Sequence, residues 1–82
     1  MKVRVYATAA CPWCHVAKEW LMERKIKFEY VDVGADQQAA REMVEKSGQM
    51  SVPVIEITGN DGRSEIITGF DEEKLKKALN IR

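Results

Sequence analysis

The chain is poor in the features that mark several functional classes. It has only two cysteines, too few for a disulfide-stapled secreted scaffold of this size. With one histidine and those two cysteines, it lacks the second ligand pair of a tetrahedral zinc site. The 13 basic and 13 acidic side chains cancel, which excludes a strongly basic nucleic-acid binder and an acidic solvating tail. Apolar runs are only a few residues long, far below the roughly 18 needed to cross a membrane. The start, Met1-Lys2-Val3-Arg4-Val5, carries no apolar stretch of signal-peptide length. No linker, repeat or low-complexity segment interrupts the chain. What is present, 45% hydrophobic and 32% charged residues over 82 positions, is ordinary globular composition. The expectation is a single domain spanning 1–82, a monomer, in the reducing cytoplasm.

Periodicity places the elements. Lys2–Tyr6 alternates with β-branched residues and reads as a strand. Beyond Pro12, the residues Val16, Ala17, Trp20 and Leu21 form a helical stripe, so a helix is expected over about 12–25. Phe28–Val33 is a second strand. Asp36 suits a helix N-cap, Ala39, Ala40, Met43, Val44 and Ser47 recur at helical spacing, and Gly48 suits the stop. Val54–Thr58 and Ser64–Thr68 flank Gly59-Asn60-Asp61-Gly62 and read as a hairpin. A last helix starts at Asp71, with Leu75, Ala78 and Leu79 on its apolar face. The order is β-α-β-α-β-β-α. A helical crossover between the first two strands makes them parallel, and the hairpin adds an antiparallel pair. The result is an α/β fold with a mixed four-stranded sheet and three helices.

The chemistry gathers in Cys11-Pro12-Trp13-Cys14-His15, where a strand hands over to a helix. Pro12 fits a first helical turn, where a missing N–H costs nothing. Spacing i, i+3 puts both sulfurs on one helix face, within bridging reach. Such a bridge closes a very small loop and restrains the unfolded chain little, so redox cycling explains it better than stability does. Cys11 faces the unpaired N–H groups of the helix mouth, which favour a thiolate. Cys14, one turn in, is more shielded. Cys11 is therefore the attacking thiolate and Cys14 the resolving thiol.

Other readings of the run are weaker. Cys-x-x-Cys-His also spells a haem attachment site, but Pro12, the preceding strand and the β-rich remainder oppose it. His15 and Lys18 read as solvated helix residues. Trp20 is core by periodicity, whereas the place of Trp13 in the motif turns it towards the surface, as a contact for substrate. Tyr6 serves core or site equally well. Pro53 either starts a strand or, beside a Cys-x-x-Cys motif, forms a cis turn that frees the Val52 backbone for an extended substrate.

Taken together, Tyr6 to Cys14, Ser47-Gly48-Gln49-Met50-Ser51-Val52-Pro53 and Gly69-Phe70-Asp71 resemble the glutaredoxin family along essentially the whole chain. The resemblance implies a thioredoxin-like fold, dithiol oxidoreductase activity, a cis Pro53 and glutathione as reductant, with no resident metal or other cofactor. It places glutathione near Pro12, Trp13, Gln49, Val52, Pro53 and the Gly69-Phe70-Asp71 segment. Disulfide-containing proteins are the implied partners. Trp13 stands where family members usually carry Tyr, Thr8 where many carry a basic residue, and Thr68-Gly69 where many have Gly-Gly. The Gly-Phe ending resembles NrdH-type redoxins, which pass electrons from thioredoxin reductase to ribonucleotide reductase. A rival from another class is a module that binds an iron–sulfur cluster through Cys11 and glutathione, which Pro12 and the resolving Cys14 oppose.

Overall fold

A computed structural model describes residues 2–79. Its elements are β1 (Lys2–Ala7), α1 (Pro12–Glu23), β2 (Glu29–Asp32), α2 (Gln37–Ser47), β3 (Val54–Thr58), β4 (Ser64–Thr68) and α3 (Glu72–Leu79). The four-stranded sheet has the order β2-β1-β3-β4. β1 runs parallel to β2 and antiparallel to β3, and β4 pairs antiparallel with β3. This is the thioredoxin-like arrangement expected from the sequence.

Alternation along the strands sorts side chains to two faces. Val3, Val5 and Ala7 of β1, with Ile55, Ile57 and Ile67 from the hairpin, pack under α1 and α3 against Ala17, Leu21 and Leu75. Tyr6 and Val54, one residue out of phase, point the other way and pack under α2 against Ala39 and Met43. Asp36 caps α2, its carboxylate accepting from the N–H groups of Gln38 and Ala39 at 3.0 and 3.1 Å. Gly48 ends that helix in the left-handed region at φ 75°, donating to the Val44 carbonyl at 2.8 Å. The hairpin turn closes through Gly59 N–H to the Arg63 carbonyl at 2.8 Å.

Three details differ from the sequence expectation. β2 is shorter, beginning at Glu29 and ending at Asp32. Val16, expected on the buried stripe of α1, is 40% exposed, because the buried line runs through Cys14, Ala17, Trp20 and Leu21. Val16 lies about 200° round the helix from Cys14 and so faces solvent. Finally, α1 stops at Glu23, since Lys25 turns into the left-handed region at φ 57°.

Candidate active site

The cysteine run sits where β1 ends and α1 begins. Between them, Thr8 to Cys11 make a turn, with Cys11 N–H donating to the Thr8 carbonyl at 3.3 Å. The His15 ring secures the same turn from α1, donating through Nε2 to the Ala9 carbonyl at 3.0 Å. Its place is thus structural.

Cys11 is the N-cap of α1, with extended backbone (φ −89°, ψ 113°), and Pro12 follows in the first turn. An N-cap side chain normally accepts from an amide freed at the helix start, and here a sulfur fills that role. Cys11 Sγ accepts from Cys14 N–H at 3.2 Å. It is half-buried and open to one side, whereas Cys14 is fully buried in the core. Both are free thiols. Burial, then the hydrogen bond with Cys11, push the Cys14 thiol from 9.0 up to about 12, against a smaller opposing pull from the Thr8 backbone. Cys14 is therefore a thiol at neutral pH.

The turn before β3 completes the site. The Val52–Pro53 peptide is cis. The Val52 carbonyl lies 3.9 Å from Cys11 Sγ, which brings two segments distant in sequence onto the same sulfur. The Pro53 carbonyl accepts from Gly69 N–H at 2.8 Å, tying the end of β4 to the same turn. Gly69 adopts φ 78°, a backbone conformation that disfavours a side chain. The chain is thereby turned so that Phe70 reaches Trp13, ring centroids 6.2 Å apart and nearly parallel. Phe70 also meets the edge of Trp20 at 6.3 Å. Trp13 is 61% exposed. Trp13, Val52, Pro53, Gly69 and Phe70 line an open groove of about 290 Å³ beside the cysteines.

Of the residues expected to hold glutathione, this groove gathers Trp13, Val52, Pro53, Gly69 and Phe70, while Pro12, Gln49 and Asp71 do not line it. Gln49 is bonded through its backbone to the Ser47 hydroxyl, and it does not line the groove. Asp71 caps α3, accepting from Lys74 N–H at 3.2 Å. Tyr6 belongs to the core under α2. The core beneath the site also holds a residue that motif reading did not single out. Tyr30 of β2 packs into the same core cluster as Cys14, and its buried hydroxyl has no hydrogen-bond partner. Alternation with Phe28 put Tyr30 on this face, but no motif flags it. No group of three or more His, Cys, Asp or Glu among the described residues could hold a metal ion.

Comparison with known proteins agrees with this geometry. A family model described as glutaredoxin matches residues 3–61. A glutaredoxin-like 8.6 kDa protein from a rubredoxin operon of Clostridium pasteurianum is 39% identical over 77 residues, 94% of this chain and 96% of its own length. A crystal structure of a mutant of the thioredoxin-like protein BC3987 superposes with TM-score 0.86 at 36% identity, covering 99% of this chain and 97% of that one. The NrdH-redoxin of Escherichia coli, described as a glutaredoxin-like protein with a thioredoxin-like activity profile, superposes with TM-score 0.77 at 25% identity, covering 94% and 93%.

Proposed function

The chain belongs to the glutaredoxin family, and on that premise we propose that it is a dithiol disulfide reductase acting on protein disulfides and glutathione mixed disulfides. One observation carries the reading. The two thiols of a single helix turn have opposite surroundings: Cys11 at the helix mouth beside the groove, Cys14 dry and protonated beneath it.

The steps follow from that asymmetry. The Cys11 thiolate attacks one sulfur of the substrate disulfide. A Cys11–substrate disulfide forms, and the other substrate sulfur leaves as a thiolate that takes a proton. Cys14 then loses its proton and attacks Cys11 Sγ. The mixed disulfide breaks, the second substrate thiolate leaves, and Cys11–Cys14 is oxidised. The Val52 carbonyl, held beside Cys11 by the cis turn, is placed to pair with the backbone of an extended substrate. Two molecules of glutathione return the pair to dithiol, releasing glutathione disulfide. Iodoacetamide at neutral pH tests the asymmetry: Cys11 should be alkylated and Cys14 spared, and labelling of Cys14 first would reverse the roles.

A second reading concerns the electron donor. None of the five residues lining the groove carries a charge, and Thr8 offers no cation for a glutathione carboxylate. That favours thioredoxin reductase as the donor, in the manner of NrdH-type redoxins, with ribonucleotide reductase among the acceptors. Reduction of the oxidised protein by glutathione and glutathione reductase, set against thioredoxin reductase, separates the two. Modest glutathione turnover that rises in Thr8→Lys supports the first. Turnover with thioredoxin reductase alone supports the second.

A further inference from the structure

The dithiol mechanism leaves one energetic problem unsolved. Cys14 must become a thiolate inside an apolar core, where the Thr8 backbone favours that charge but is outweighed by burial. Tyr30 stands in the right place. It lies on β2 directly opposite Val5 of β1, with its side chain on the α1 face of the sheet. Lys18, one helical turn beyond Cys14, holds its Nζ 5.3 Å from the centre of the Tyr30 ring, so the ring lies beneath the Cys14–Lys18 side of α1. The Tyr30 hydroxyl is buried and unpartnered in the dithiol state. A buried hydroxyl without a partner is unfavourable, and phenylalanine would fill the same space without it.

We propose that the Tyr30 hydroxyl is the hydrogen-bond donor that receives the Cys14 thiolate in the resolving step. This rests on the dithiol reading above. Tyr30 keeps its proton throughout. Cys14 gives its own to solvent, its thiolate is held by the phenolic O–H, and it then attacks Cys11 Sγ as already described. Burial raises the Tyr30 phenol, and negative charge on Cys14, Cys11 or Asp32 raises it further, which keeps it protonated. The charged and titratable groups facing it are the Lys18 ammonium and the two cysteines from α1, and Asp32 on its own strand.

The test uses 5,5′-dithiobis(2-nitrobenzoate). Cys11 attack releases one nitrothiobenzoate, and Cys14 resolution releases the second. In Tyr30→Phe the first phase should be unchanged. The second should slow by about tenfold or more, the scale of one hydrogen bond to a charged group, with its pH profile moved to higher pH. Thermal stability of the dithiol form should be equal or higher, because no resting hydrogen bond is lost. A second phase unchanged in rate and pH profile overturns the proposal. So does a slowed second phase in Lys18→Met with none in Tyr30→Phe, which would assign the effect to the cation. Absence of any second phase in the wild type overturns the dithiol reading and this proposal with it. Cys14→Ser, which should show the first phase alone, identifies that outcome.

Discussion

On the α2 face of the sheet, the Tyr6 hydroxyl accepts from Lys46 Nζ at 3.2 Å and from Arg4 Nη1 at 3.4 Å. On the opposite face, under α1, the Tyr30 hydroxyl has no partner. The two tyrosines occupy adjacent parallel strands, Tyr6 paired in register with Val31 and Tyr30 with Val5, so alternation sends them to opposite sides. The α2 face closes a small apolar cluster with a rim of charge: Lys46 also meets Glu56 at 3.1 Å, and Arg4 meets Glu29 at 3.3 Å. Among the described residues, no buried side-chain polar atom on this face is left without a hydrogen-bond partner. The α1 face is dry, larger and ends at the thiols. One face is built for stability and the other keeps unpaired polarity beside its chemistry, which is the pattern expected of a functional site.

The largest expected effect divides the faces by activity. Cys11→Ser should abolish reduction of every disulfide substrate. Cys14→Ser should keep glutathione-mixed-disulfide reduction and lose dithiol reduction of protein disulfides. Lys46→Met, on the other face, should leave turnover within about twofold while removing one partly buried hydrogen-bonded ion pair. Loss of activity in Lys46→Met would break the division.

Stability divides them next. Leu21 is fully buried in the α1-face core, and Leu21→Ala should cost about 3–4 kcal/mol in denaturant unfolding. Met43, 2% exposed in the smaller α2 cluster, should cost about 2 kcal/mol on truncation to Ala, since an edge cluster collapses more readily around the gap. Equal losses would mean that the two cores are equally rigid.

Alkaline pH probes the dry face alone. Because the Cys14 thiol is raised from 9.0 to about 12, the resolving step should quicken about tenfold per pH unit across the neutral range. The folded-state value lies above the unfolded one. The contribution of the neutral thiol is therefore complete below about 9 and is lost as pH climbs towards about 12 in the reduced protein. The oxidised protein has no thiol to titrate, so its alkaline stability profile should be flatter. Identical profiles would show that desolvation does not set Cys14.

Tyr6→Phe should cost about 1 kcal/mol, since the two cations keep water and carboxylates as alternative partners. Set beside an unchanged or stabilised Tyr30→Phe, that difference measures the contrast between the hydroxyls directly.

The strand alternation, the Asp36 cap and the Gly48 stop made the order of elements legible, because each is a local signal with a local cause. The Cys-Pro-Trp-Cys run and the Val-Pro turn were legible for the same reason. What lay hidden depends on tertiary geometry. Stripe periodicity cannot fix the rotation of a helix about its axis, so Val16 was placed inside with Ala17. Only the family resemblance put Phe70 at the same site as Trp13; their stacking, which arrives through the Gly69 turn, has no local signal. Tyr30 sits on a correctly read strand, but a missing hydrogen bond is invisible until the surrounding side chains are in place.

The smallest effect concerns the end of α1, a helix stop with no sequence signal. Lys25 N–H donates to the Met22 carbonyl at 3.0 Å and Ile26 N–H to the Leu21 carbonyl at 3.0 Å, the paired reverse bonds of a Schellman stop. Ile26, packed against the core cluster that contains Leu21, adds the accompanying apolar contact. The left-handed position of this motif normally belongs to glycine, yet Lys25 occupies it at φ 57°. A side chain there costs about 1–2 kcal/mol against the right-handed conformation. Glycine removes that cost but adds about 0.5–1 kcal/mol of unfolded-chain entropy. Lys25→Gly should therefore stabilise the fold by about 0.5 kcal/mol without altering either phase of thiol exchange, whereas Lys25→Val, β-branched at a positive φ, should destabilise it. Since Lys25 is exposed and distant from the groove, a change in exchange rate in Lys25→Gly would mean that the far end of α1 is coupled to its cysteine-bearing mouth. Stability on this face would then be part of its chemistry, and the contrast with the α2 face would extend along the whole helix.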